Sequence, residues 1–336
     1  MAVSIVDIAK RVDVSHTTVS RVLNNRKGVF VSEKTRRMIE EAAREMGYRP
    51  NALARGLRGA RTETIGLIVP GFFKQVEAAE CVASEAGYRV LMAPHHRRTQ
   101  DFRRILDDLV QHNVDGVLIH SMVDGMTQAL QEIFPDKPVV LCCEEPFEGY
   151  DCFIDARYDA ARTAVKYLAQ QGHRRIGLLV NHTKPSMRWR VGGYRSQMRE
   201  FGLEINEAWL WDMPDDVPSA TRGYMGAKAA LSKFGSADRP TAILCTNDDV
   251  AVGAIAAAAE AGIDVPGDLS VMGMMNLDHA PFARVPLTTV DWDAGNLSIK
   301  GMEQLLKRIK SPDEPTKVRC EAPQVIVRAS VGRPRS

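Results

Sequence analysis

The sequence predicts an α + α/β protein: a small three-helix head, a short linking helix, and a two-lobed α/β body. Three observations carry this reading. Amphipathic helical stretches fill the chain ahead of residue 48, a proline interrupts at 50, and beyond residue 61 apolar runs of strand length alternate with amphipathic segments. At 336 residues the chain exceeds the roughly 250 to 300 at which single cores split into domains, so more than one unit is expected.

In the head, Ser4 and Asp7 stand at the spacing of a capping box, ahead of Ile5, Ile8 and Ala9 at helical spacing. A second helix begins after Ser15. It places Val19, Val22 and Leu23 on one face and leaves His16, Thr17, Ser20 and Arg21 on the other. Ser32 can cap a third helix, whose stripe of Met38, Ile39, Ala42, Ala43 and Met46 is closed by Gly47. After Arg49-Pro50, Asn51 could cap one more helix over residues 52–58. With Gly56 inside it, that helix is too short and weak to stand without a partner.

The body offers buried strands at 65–69, 90–93, 117–120 and 139–142, then at 176–180, 242–245 and 269–272. Alternation with helices is the pattern of a parallel sheet with right-handed crossovers. Each series opens on nearly the same strand, Ile65-Gly66-Leu67-Ile68-Val69 and Ile176-Gly177-Leu178-Leu179-Val180, so two similar lobes with a cleft between them are expected. Ligands of open α/β sheets sit beyond the carboxyl ends of the strands, which points to His120, Cys143, Glu144, Asn247 and Asp248.

Charge is unevenly spread. Residues 1–61 carry 13 Lys/Arg against 6 Asp/Glu, while the whole chain has a formal charge of only +2, so a basic head precedes an acidic body. A polyanion is the expected partner of such a head. The opening residues carry charges and no long apolar run, which argues against a secretory signal or a membrane span and for a cytoplasmic protein. Six cysteines without a Cys-x-x-Cys pair fit reduced thiols better than a disulfide frame or zinc ribbon.

Three blocks of sequence are specific: residues 14–24 (Val-Ser-His-Thr-Thr-Val-Ser-Arg-Val-Leu-Asn), residues 47–57 (Gly-Tyr-Arg-Pro-Asn-Ala-Leu-Ala-Arg-Gly-Leu), and residues 64–70 (Thr-Ile-Gly-Leu-Ile-Val-Pro). They closely resemble the LacI/GalR family of bacterial regulators. The resemblance runs through Gly172-His173-Arg174-Arg175-Ile176, Arg190-x-x-Gly193-Tyr194, Thr246-Asn247-Asp248, residues 286–290 and Arg328-Ala329-Ser330, all in the family's order.

That resemblance implies a helix-turn-helix DNA-binding domain over 1–48, a hinge helix over 49–60, and an effector-binding and dimerisation domain over 61–330. The latter would be a type I periplasmic-binding-protein-like fold, its first lobe about 61–155 and 289–318, its second about 156–288 and 319–330. The implied function is a sequence-specific transcription regulator, a repressor. It would bind a palindromic double-stranded DNA operator as a homodimer, under control of a small-molecule effector such as a carbohydrate, a sugar acid or a related metabolite. Expected DNA contacts are His16, Thr17, Thr18, Ser20, Arg21 and Asn24 from the head, with Asn51, Ala54, Arg55 and Leu57 from the hinge. Arg21 suits a bidentate contact to guanine, and Leu57 stands where the family inserts a leucine wedge into the minor groove. Expected effector contacts are Phe73, Arg190, Asn247, Asp248, Asn276 and Trp292, with no cofactor and no membrane partner. Asp248 could equally cap the helix that follows it.

Departures from the family pattern bear on the ligand. Asp13 occupies a turn position where glycine is usual and a left-handed backbone is expected. The loop after the proline at 70 is shortened to residues 71–74, and Met275 stands where an aspartate often binds sugar hydroxyls. An anionic ligand on Arg190 is therefore favoured over a neutral sugar. A metal or redox sensor built from His95, His96, His120, Cys142, Cys143 and Glu144 is a competing reading, although no spacing in that set matches a known site. An enzyme is disfavoured because nucleophile-elbow, phosphate-loop and His-Glu-x-x-His motifs are absent from the sequence.

Overall fold

The computed structural model describes residues 3–23, 31–48, 61–69, 74–95, 99–121, 125–181, 187–214 and 217–335. They form two units, 1–62 and 63–336.

The first unit holds α1 (Ile5–Val12), α2 (His16–Leu23) and α3 (Glu33–Glu45). The capping box forms as expected: Ser4 Oγ accepts from the Asp7 N–H, and the Asp7 carboxylate accepts from the Ser4 N–H at 2.9 Å. Ser32 caps α3 by accepting from the Thr35 N–H at 3.1 Å. Ile8, Val19 and Ile39, one from each helix, are fully buried against one another, each burial contributing roughly 1.5 to 3 kcal/mol. Asp13 ends α1 at φ 50°, ψ 50°, the left-handed conformation expected of that turn.

In the second unit the elements are, in chain order, β1 (Thr64–Val69), α4 (Lys74–Glu85), β2 (Arg89–Pro94), α5 (Thr99–Gln111), β3 (Gly116–His120), α6 (Met126–Ile133), β4 (Val139–Cys143) and β5 (Asp151–Ile154). Next come α7 (Arg157–Gln170), β6 (Ile176–Leu179), α8 (Arg188–Glu200), β7 (Leu210–Trp211), α9 (Ser219–Leu231), β8 (Ala242–Cys245), α10 (Asp248–Glu260), β9 (Ser270–Met274) and β10 (Thr289–Asp291). α11 (Ala294–Lys310), β11 (Val318–Cys320) and β12 (Gln324–Ile326) close it.

Two six-stranded sheets result, ordered β11–β5–β4–β3–β1–β2 and β12–β10–β9–β8–β6–β7. Among the described residues every pairing is parallel except β10 with β12. β4, β8 and β9 are buried along their whole length, as expected of strands covered by helices on both faces.

The chain passes between the sheets three times: after β5, after β10 and after β11. Two of these crossings fall later than the sequence suggested. Thr289–Asp291 pairs with β9 in the second sheet, so the return to the first lobe follows 291 rather than preceding 289. β11 pairs with β5 in the first sheet through Cys320, so the last crossing follows 320 rather than 318. α11 belongs to the first lobe, where Leu297, Met302 and Leu305 pack on Ile65, Leu67 and Leu118.

Candidate DNA-reading helix and interlobe site

In the head, α2 is anchored by its apolar side. Val19 and Val22 are buried in the head core, while His16, Thr17 and Arg21 are exposed and Ser20 is half-buried. Thr18 is spent on the helix start: its N–H donates to Ser15 Oγ at 3.1 Å, and the two hydroxyls lie 2.8 Å apart. One polar row of α2 therefore stays available to a partner. Asn24 and the hinge positions Asn51, Ala54, Arg55 and Leu57 lie outside the described residues.

The Arg190-x-x-Gly193-Tyr194 motif has a mechanical basis. A Cβ on Gly193 would stand 2.2 Å from the Tyr158 carbonyl oxygen, so only glycine lets α8 lie this close to α7. Tyr194 is fully buried and donates to the Ile176 carbonyl at 2.7 Å. These two residues fix α8, and Arg190, one turn earlier, is held at 7% exposure.

The remaining second-lobe candidates are more committed to the fold than the sequence suggested. Asn247, rather than Asp248, is the N-cap of α10, its Oδ1 accepting from the Val250 N–H at 2.8 Å. Asp248 is completely buried and accepts from the Leu277 N–H and from Thr289 Oγ1, both at 2.6 Å. Burial pushes its carboxyl up to about 6, against the pull of these two donors. Asn276, at φ 49°, donates through Nδ2 to Asp291 at 3.0 Å and accepts from Arg328 at 2.8 Å. Trp292 is 2% exposed within the second-lobe core, with partly buried Met187, Val191 and Met275 packed against that core. Phe73 lies outside the described residues.

The Arg328-Ala329-Ser330 motif also resolves into fold chemistry. Arg328 donates to the Leu287 carbonyl at 2.8 Å as well as to Asn276, and Ser330 donates to the Val271 carbonyl at 2.6 Å while accepting from the Thr288 N–H at 2.8 Å. The motif staples the approach to β10 onto β9.

At the first-lobe strand ends the histidine and cysteine side chains have separate partners. His95 is buried with Nε2 3.2 Å from the His120 carbonyl, and His120 Nε2 lies 3.2 Å from Ser298 Oγ. Burial drives His120 down to about 4, so its ring is neutral at physiological pH. The Cys142 thiol faces the Leu297 carbonyl, and Glu144 is paired with Arg157. Among the described residues no group of these side chains is arranged to hold a metal ion, and His96 lies outside them.

Sequence reasoning overlooked Arg157, Asp155 and Ser121, which meet where the chain first crosses between lobes. Nothing in a sequence marks these contacts, because the partners are separated by 13 and 36 positions. Arg157 opens the second lobe yet touches Glu144 and Ser121 of the first, so the carboxyl ends of the two sheets face each other across the crossings.

Comparison with known proteins agrees with this architecture. Residues 4–51 match the family described as bacterial regulatory proteins, lacI family, and residues 165–331 match the periplasmic binding protein-like domain. The transcriptional repressor PurR of Photobacterium profundum is 32% identical over 98% of both chains. The lac repressor dimer, solved with operator and an anti-inducer, superposes with a TM-score of 0.82 at 24% identity, covering 99% of this chain and 100% of that one. A transcriptional regulator from Silicibacter pomeroyi gives 0.85 at 22% identity, covering 98% and 100%. With its motifs in order from residue 4 to residue 330 and a repressor relative matched end to end, the chain belongs to the LacI/GalR family of bacterial transcription regulators.

Proposed function

We propose that this protein is a transcriptional repressor that binds a palindromic operator as a homodimer in the cytoplasm and responds to a small molecule held between its lobes. It acts as a regulator rather than a catalyst. The observation that carries the reading is α2: a helix buried along Val19 and Val22 that presents His16, Thr17 and Arg21 outward, in a head whose sequence is that of the lacI family. A recognition helix of this kind reads base edges in the major groove with its first turns. The basic surplus of the first 61 residues supplies the phosphate attraction. Dimerisation gives the second half-site, and the 86% exposed Phe282 on the second lobe is a side chain that association would cover. Among the described residues, no helix is long and apolar enough to cross a membrane.

The effector is a small anionic or polyhydroxylated metabolite bound by Arg190, with Asn247 and Asn276 at the rim and Trp292 as an apolar wall. Arg190 supports this because it is buried in the first turn of α8, at the carboxyl ends of the second-lobe strands. Met275, with no charge to repel an anion, packs against the core that contains Trp292.

The test is selection of bound duplexes from a randomised library, followed by affinity measurement with Arg21→Ala. A palindromic site should emerge, with affinity falling steeply as salt rises. Arg21→Ala should weaken that site by about 1 to 3 kcal/mol and relax one base pair in each half. Enrichment of no palindrome would overturn the reading, and equal loss on specific and random DNA would reassign Arg21 to the phosphate backbone.

A further inference from the structure

Arg157 is the first residue of the second lobe's first helix, yet its guanidinium reaches back across the crossing. Nη1 donates to Glu144 Oε1 at 2.7 Å, and Nη2 donates to Asp155 Oδ2 at 2.6 Å and lies 3.5 Å from Ser121 Oγ. The side chains of Arg157, Glu144 and Asp155 keep only 14%, 9% and 12% exposure, so salt screens these pairs little. The other two crossings are tied differently. Lys300 donates to Glu321 at 2.5 Å and stands 4.0 Å from Asp293, with all three side chains well exposed.

We propose that Arg157, with Glu144, Asp155 and Ser121, forms an interlobe latch that sets how far the two lobes open. The inference rests on the proposed function, in which the protein responds to a small molecule held between its lobes. Asp155 ends the first-lobe side of the crossing, its N–H donating to the Cys143 carbonyl at 2.7 Å, and Glu144 and Ser121 follow β4 and β3 of the same lobe. Rotation of one lobe on the other therefore breaks the Glu144 and Ser121 contacts first, because of the three partners only Asp155 is tethered to Arg157 by two residues of chain and by the Arg157 N–H, which donates to its carbonyl at 2.8 Å. Breaking them strands a carboxylate that was buried against its cation, which makes closure a two-state choice rather than a soft hinge. The latched state is itself incompletely satisfied: Arg157 Nε and Asp155 Oδ1 are buried with no hydrogen-bond partner among the described residues. Unsatisfied atoms of this kind raise the latched state and keep an opened alternative within reach of a ligand. Burial works against the charge on Arg157, but Asp155 and Glu144 together outweigh it and hold the guanidinium charged.

Hydrogen–deuterium exchange of the full-length protein, without DNA or any small molecule, tests the latch. Glu144→Gln should speed exchange at residues 154–157, 291–294 and 320–323 by about tenfold, as expected when a local opening becomes easier. The strands β1, β4, β8 and β9 should keep their parental protection. Arg157→Lys, which retains the charge but loses the fork, should fall between the parent and Glu144→Gln. Unchanged exchange at the crossings in Glu144→Gln would overturn the proposal. So would an increase spread evenly over both sheets, which is the signature of a packing role. Because the readout needs neither operator nor effector, failure of the latch is distinct from failure of the regulator reading, which operator binding decides.

Discussion

Asp248 should make the protein less stable as pH rises through the mildly acidic range, and Asp248→Asn should remove that dependence. The carboxyl is completely buried, and burial lifts it from 3.8 to about 6 despite the Leu277 N–H and the Thr289 hydroxyl that donate to it. A carboxyl raised on folding binds its proton more tightly in the native than in the unfolded state. Its contribution is therefore most favourable below pH 3.8 and is lost as pH climbs to about 6. At about 1.36 kcal/mol per pH unit, the gap amounts to about 3 kcal/mol, most of it between pH 4 and pH 6. Asparagine keeps the shape and can still accept from Leu277 N–H through Oδ1 while its amide donates to Thr289 Oγ1, so the variant should fold. Urea unfolding of parent and variant across pH 4 to 7 provides the measurement, and subtracting the two curves cancels every other titrating group. The difference should grow in the variant's favour by about 2 kcal/mol over that range. Parallel curves would refute the reasoning and show that the two donors fully offset the desolvation of the carboxylate.

Arg190→Ala should abolish the change in operator affinity caused by the effector while leaving binding without effector nearly intact, which titration of the selected duplex with and without candidate metabolites would reveal. Gly193→Ala should behave differently: its methyl group would meet the Tyr158 carbonyl, so a loss of about 1 to 3 kcal/mol in urea unfolding is expected, larger than that of Arg190→Ala. Arg308→Met should cost about 3 to 5 kcal/mol by the same assay. It strips the guanidinium from Asp151, a 1% exposed carboxylate held by Arg308 Nε at 2.9 Å and also by Gln304 and the Lys317 N–H. Asp13→Gly should stabilise the head by about 0.5 to 1 kcal/mol in thermal unfolding, since φ 50° strains a side chain that glycine lacks.

The head was legible in the sequence because its determinants are local. The capping box at Ser4 and Asp7, the cap at Ser32, the left-handed turn at Asp13 and the buried face of α2 each depend on residues within one or two turns, where spacing alone fixes geometry. Six of the seven apolar runs of the body were legible for the same reason, since strands buried on both faces need no partner to be recognised, and the seventh, the half-buried edge strand β2, was legible from its apolar residues alone. β5, β7, β10, β11 and β12 were not, because they span two to four residues and several lie at or near sheet edges, where solvent removes the apolar signature. Register across those short strands, and with it where the chain changes lobe, is decided by pairing with β5 and β9.

The motifs were visible as patterns, but their division of labour was not. Sequence marked Arg190, Gly193 and Tyr194 as one unit, while packing assigns Gly193 and Tyr194 to holding α8 and leaves Arg190 at the strand ends. Nothing in the sequence paired Asp248 and Asn276 with Leu277, Thr289, Asp291 and Arg328, the partners that the fold supplies. The meeting of Arg157 with Glu144 and Ser121 had no sequence signal at all. Charge pairing between residues far apart in the chain is created only when the sheets close and bring their strand ends together, because electrostatic partners are chosen by distance in space and a sequence records only distance along the chain.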